Sequence, residues 1–239
     1  MARHFVLLDA NVQAAHFAPI TTSNKTLLAR SRTLLSGTST VMDPHFLTPT
    51  FCIAEVFAVF EKYRWGSTWN PQVSKSLSAQ KFTSTRQSFQ NAIHNGSKIL
   101  QVELNRYHVL CIDLISPINH AYKIKRNKPP KTRPAKPKKP RTIHPASTYD
   151  MLLVAMGIWL SHQYGRDNFT VVTGDERIFR VVERARSVKL AKPMKNHLQS
   201  IARSLGLTYG PDMYPHVVDL AHVSKADLAV RFPAWTPSW

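Results

Sequence analysis

The sequence predicts an α/β domain whose central, mostly parallel sheet is flanked by helices. Three observations carry that expectation. Short apolar or β-branched runs, FVLL at 5–8 and TVVT at 170–173, alternate with longer stretches of helical composition. The runs are apolar at successive rather than alternate positions, as strands covered on both faces are. At 239 residues the chain is also long enough to bury one sizeable core.

Taken in order, 5–8 is the first strand. Residues 11–35 look helical in parts, interrupted by the turn-like 19–24. His45-Phe46-Leu47 suggests a second short strand, and Thr48-Pro49-Thr50 opens a helix through 63, with Pro in its first turn and Thr as cap. Residues 65–85 read as polar and irregular, 86–105 as helical, and 107–114 (YHVLCIDL) as a strand. Six prolines between 129 and 145 cannot sustain a helix, so an extended, mobile insertion is expected at 123–145. A strongly apolar helix at 146–164, a strand at 170–173, a helix at 176–185 and a final strand at 188–190 complete a domain of residues 1–193. Residues 194–239 form a C-terminal extension, a helix near 196–205 and a tail with Trp235 and Trp239, packing on the domain or on a partner. No internal repeat is visible.

Charge dominates the composition. Lys and Arg number 32 against 14 Asp and Glu, a formal net charge of +18. Ten of these cations fall in an acid-free run at 123–141: Lys123, Lys125, Arg126, Lys128, Lys131, Arg133, Lys136, Lys138, Lys139 and Arg141. Taking ten from +18 leaves +8, so the remainder is basic too. An excess of this size predicts attraction to a polyanion, nucleic acid first. The run would clamp a phosphate backbone with affinity that falls steeply with salt and reads little sequence. A solubilising or localisation segment is the other reading of it.

Cys52 and Cys111 sit in apolar runs without metal or redox spacing, which suggests buried free thiols in a reducing compartment. Asp9 interrupts the N-terminal apolar run too early for a signal peptide, and 151–160 is about half a membrane span. The expectation is a soluble cytoplasmic protein with no membrane partner.

Among so few acids, four stand among apolar neighbours. Asp9 ends FVLL. Glu55 lies in PTFCIAEVFAVF, where its helical neighbours are Phe51, Cys52, Ala58 and Val59. Asp150 opens DMLLVAMGIWL, and Asp175 ends VVTGD. A carboxylate in such surroundings is costly without hydrogen bonds, a counter-charge or a metal. Strand ends and helix starts are where a parallel α/β fold gathers such groups. Oxygen ligands alone would suit Mg²⁺ or Mn²⁺ better than Zn²⁺. Each acid also has an ordinary alternative, weakest for Glu55, since a mid-helix acid on an apolar face needs a partner. Ser147 and Asp150 match a capping box, Asp9 with Asn11 an Asx turn, and Asp175 a plain turn after Gly174. Asp113 is a further strand-end acid, better suited to a structural role. Arg177 and Arg180 read as solvated helix-face arginines, with phosphate contact the second possibility.

The ordered set LLDANV, TPTFCIAEVF, STYDMLLVA and VVTGDERIF resembles the PIN-domain nucleases, over residues 3–63 and 107–192. The resemblance implies a PIN-like fold in which Asp9, Glu55, Asp150 and Asp175 are the catalytic, metal-binding acids. Asn11 and Thr173 match the polar residues that support them. It implies a Mg²⁺- or Mn²⁺-dependent endoribonuclease acting on single-stranded RNA, leaving 5′-phosphate and 3′-hydroxyl ends. It further suggests an inhibitor (antitoxin) protein and a homodimer as partners, although the toxin members of the family are much shorter. A non-catalytic PIN-like module that binds RNA or protein, and a structure-specific DNA nuclease, remain alternatives. No G-x-S-x-G, G-K-[ST] or zinc-type His/Cys cluster occurs, and Asn11 stands where a D-x-D phosphatase needs its second Asp.

Overall fold

Strand β1 (Phe5–Leu8) is the centre of the sheet, and every later strand is laid beside it or beyond it. The computed structural model describes residues 4–22, 24–36, 45–69, 76–94, 98–121, 145–224 and 227. After β1 come helices α1 (Ala10–Phe17) and α2 (Lys25–Ser36), separated by a short 3₁₀ turn at Pro19–Thr21. Strand β2 (His45–Pro49) leads straight into α3 (Thr50–Trp69). Then follow α4 (Ala79–His94), β3 (Ile99–Val102), α5 (Arg106–Leu110) and α6 (Ser116–Ala121). The remaining elements are α7 (Thr148–Tyr164), β4 (Phe169–Thr173), α8 (Glu176–Ser187), α9 (Lys192–Ser204) and β5 (His216–Asp219).

Among the described residues the strands form one five-stranded sheet in the order β3-β2-β1-β4-β5, with every pairing parallel. This is the expected α/β fold, helices flanking a parallel sheet, and it is consistent with a PIN-like fold. The register sorts side chains by face. Leu7, Leu47, Val171 and Val217 enter one apolar cluster with α3, α7, α8 and α9. Val6, Leu8, Phe46, Val172 and Val218 enter the other with α1 and α2. Both faces are covered, which is why these strands read as unbroken apolar runs. Helix α7 packs very close to β4: a carbon added at Gly157 would lie 2.8 Å from Val171 Cγ2. Among the described residues, no helix is long and apolar enough to cross a membrane.

Several local expectations are corrected. Residues 107–114 are not a strand but α5 followed by a 3₁₀ turn (Cys111–Leu114). Asn105 starts this helix, its side chain accepting from the backbones of Tyr107 and His108 while His108 returns to the Asn105 N–H. The buried residues His108, Cys111, Leu114, Ile115 and Ile118 follow a helical period. Residues 99–102, taken as helix, form β3. Much of 65–85 is helical, at the end of α3 and the start of α4. Residues 188–190 are irregular, and the last strand is β5 instead. Helix α9 spans the boundary expected at 193, and β5 beyond it joins the sheet beside β4. Residues 123–141, with the ten named cations, lie outside the described residues, as do Trp235 and Trp239.

Candidate metal centre

The strand order reverses beside β1. The chain runs outward through β2 and β3, then returns to place β4 and β5 on the other flank. Loops leaving neighbouring strands part at such a point and open a crevice at their carboxyl ends. Asp9 follows β1 and Asp175 follows β4 after one glycine, so adjacent strands deliver both acids to the crevice.

Asp9 is held tightly. Its N–H donates to the Val172 carbonyl at 2.9 Å, extending the sheet by one residue. It stands at the N-cap of α1, yet its side chain does not cap that helix. Instead Oδ2 accepts from Asn11 Nδ2 and from Thr173 Oγ1, both at 2.6 Å. The residue is 7% exposed. Burial pushes its carboxyl up to about 7; the Thr173 hydrogen bond opposes that, and the charges of Asp150, Glu55 and Asp175 add to it. The supporting pair is clamped in turn. Asn11 Oδ1 accepts from the Gly174 N–H at 2.8 Å, and Thr173 Oγ1 from the Asp175 N–H at 2.9 Å. A side-chain carbon at 174 would lie 2.7 Å from Leu27 Cδ2 and 3.1 Å from Asn11 Oδ1, so the glycine leaves room for the clamp.

Glu55 faces the same pocket from the second turn of α3. Its carboxyl is raised by burial first and by Asp150 second. Ligand atoms of Asp9, Cys52 and Glu55 all lie within 4.8 Å of one another. Burial, then the charges of Asp9 and Glu55, lift the Cys52 thiol well above its ordinary range, so it stays protonated. The four acids offer carboxylate oxygens, a set that would fit Mg²⁺ or Mn²⁺.

Asp150 does two things at once. As third residue of α7 it completes the capping box: its Oδ2 accepts from the Ser147 N–H at 2.7 Å, and its own N–H donates to Ser147 Oγ at 3.2 Å. The same carboxylate repels Asp9 and Glu55 and lies 3.5 Å from Arg177 Nη2. Asp175 caps α8, its Oδ1 accepting from the Arg177 N–H at 2.8 Å. The Arg177 side chain then folds back, its Nε donating to Asp175 Oδ2 at 2.9 Å. Arg177 is thus no simple solvated arginine: it bridges Asp175 and Asp150, and those carboxylates hold its guanidinium more firmly charged. Arg180 pairs with Glu176 one turn away. Helices α1, α7 and α8 all begin at the pocket, aiming positive dipole ends at the acids.

All four acids singled out in the sequence, with Asn11 and Thr173, meet at this end of the sheet. Asp113 is exposed in the turn after α5. Sequence reasoning missed Cys52 as a neighbour of the acids, although it lies three residues before Glu55 on one helical face. It missed Asp219 at the end of β5 as well. That buried carboxylate contacts His222 Nδ1 at 2.6 Å, and His222 lines an open cleft of about 450 Å³ that also includes Asn11, Gly174 and Asp175. Compared with known proteins, the chain matches no family model, no curated protein and no solved structure.

Proposed function

We propose that this chain is a metal-dependent nuclease hydrolysing phosphodiester bonds, with single-stranded RNA as substrate. One observation carries the reading: carboxylates from four separate segments meet in one pocket at a sheet switch point, where burial first and the neighbouring acids second raise the Asp9 carboxyl to about 7. Charges gathered at such cost usually serve a cation or a reaction. Asp9, Glu55, Asp150 and Asp175 would hold Mg²⁺ or Mn²⁺. When bound, that ion supplies an acidified water and polarisation of the scissile phosphate. Asn11 and Thr173 fix the Asp9 carboxylate, and the Gly174 and Asp175 N–H groups fix Asn11 and Thr173 in turn. Water oxygen bonds to phosphorus, the bond to the 3′ oxygen breaks, and that oxygen leaves protonated, giving 5′-phosphate and 3′-hydroxyl ends. The net charge of +18 attracts the polyanion. Two buried, unpaired cysteines suit a reducing cytoplasm as the place of action.

A second reading, a PIN-like module that binds without cutting, takes support from Arg177, which already supplies a cation to two of the acids. Mn²⁺-dependent cleavage of end-labelled single-stranded RNA, with branched DNA alongside, separates the readings. The nuclease reading expects RNA cleavage by the wild type and at least a hundredfold loss in Asp9→Asn, about the scale set for removing a metal-centre or transition-state group. Cleavage untouched by Asp9→Asn sinks the metal site, absence of cleavage favours the binding module, and a preference for branched DNA moves the substrate class.

A further inference from the structure

Beside the acidic pocket lies an aromatic pair that the metal site does not use. Tyr149, the second residue of α7, immediately precedes Asp150 and is 54% exposed. Its ring stacks on Phe51, the second residue of α3, with centroids 6.0 Å apart and planes 29° from parallel. Phe51 is partly buried and packs on the core, and it lies one helical turn before Glu55. The pair therefore joins the starts of the two helices that carry Glu55 and Asp150.

The other exposed aromatic rings among the described residues, Trp65 and Tyr164, are placed differently. Trp65 is covered by Arg64 at 4.1 Å and held by its indole N–H to Glu61. Tyr164 stacks on Phe5, at the opposite end of the strands from the acids. Tyr149 combines a rigid aromatic backing, an exposed surface and a position one residue from a pocket carboxylate.

We propose that Tyr149, backed by Phe51, is a stacking platform for an unpaired base of single-stranded nucleic acid, adjacent to the phosphate that the acidic pocket receives. The inference rests on the nuclease reading and deepens it by naming the residue that selects an unpaired strand. A base in a duplex is already stacked on both sides and offers no free face, whereas a single strand offers one at every nucleotide. The chain's net charge of +18 draws the phosphates, and the ring supplies an attraction for the bases that charge alone cannot. Stacking of this kind tolerates any base, so it selects strandedness rather than sequence.

The test uses the full chain and anisotropy of a labelled single-stranded oligouridylate in chelator, so that no cleavage intervenes. A strand of the same length and charge without bases is the control. The wild type is expected to bind the base-bearing strand about 5- to 150-fold more tightly than the abasic one. Tyr149→Ala loses that preference while keeping its affinity for the abasic strand, and Tyr149→Trp restores it. A wild-type melting temperature in Tyr149→Ala shows that the fold is intact. Equal preference in wild type and Tyr149→Ala overturns the platform, as does a wild type indifferent to the bases. The cleavage assay fails separately. RNA cutting lost in Asp9→Asn but unchanged in Tyr149→Ala leaves the nuclease standing without the platform. A Tyr149-dependent base preference with no cutting leaves the platform on a binding module.

Discussion

Replacing Asp9 by Asn removes one negative charge from the middle of the acidic cluster and almost preserves the side chain's shape. The Asn carbonyl can take the Oδ2 position and keep the hydrogen bonds from Asn11 and Thr173. What changes is the cost of the charge. An Asp in an unfolded chain titrates near 3.9, whereas Asp9 is held at about 7 in the fold, chiefly by burial. The folded state thus binds the proton more readily, and metal-free stability falls as pH rises from about 4 to 7, then stays low. Some three pH units at 1.36 kcal/mol each amount to about 4 kcal/mol above pH 7. Urea titrations in chelator should therefore find Asp9→Asn more stable than wild type at pH 8, by roughly 2–4 kcal/mol. At pH 5 the gap should have narrowed by more than half. Mn²⁺ at a thousand times Kd should close or reverse the gap, because binding then stabilises the wild type by about 4.1 kcal/mol and gives the variant little. If Asp9→Asn proves no more stable than wild type at pH 8 in chelator, or if Mn²⁺ stabilises both equally, the account of a strained acidic cup relieved by a cation is wrong.

Three further outcomes follow from the same geometry. Arg177→Gln withdraws the cation that bridges Asp175 and Asp150; being half-exposed, it should cost under about 1 kcal/mol of metal-free stability, while calorimetry finds Mn²⁺ bound more tightly. Unchanged or weaker Mn²⁺ binding would show that Arg177 does not compete for the site. Leu7→Ala, at a fully buried position of the central strand, should lower stability by about 2–5 kcal/mol in urea, and a loss below ~1 kcal/mol would contradict β1 as the sheet's centre. Gly157→Leu drives a side chain into Val171 and Pro215 and should cost about 1–3 kcal/mol; a neutral result would mean that α7 and β4 are not in such close contact.

The parts of the fold legible in the sequence were those whose surroundings leave a mark on composition. Strands β1 and β4 are covered on both faces and read as unbroken apolar runs; α7 is long, apolar and opened by Ser147 and Asp150. The edge strands β3 and β5 were not legible. Each has four residues and one neighbouring strand, and two residues of β3 are exposed, so no run marks it. Residues 107–114 misled because β-branched apolar residues also suit a short helix when a cap such as Asn105 starts it. The four acids were visible as polar residues among apolar ones. Their hydrogen-bond partners at short range, Asn11 for Asp9 and Ser147 for Asp150, could be found from spacing. Arg177 could not be assigned, because two positions past a cap a long side chain can turn outward or back, and only the placement of Asp150 on another helix decides it.

By itself the sequence determined the class of fold, the excess of positive charge and the acids too poorly accommodated by their own neighbours to be ordinary surface residues. These are local or additive properties, set by which residue stands next to which and by counting charge. The tertiary structure alone decided that β5 closes the sheet, that Cys52 and Arg177 share the pocket, and that Tyr149 lies on Phe51 at its rim. Those are distances between segments as many as 100 or more positions apart, and they follow from strand order and helix packing, which spacing along the chain does not encode.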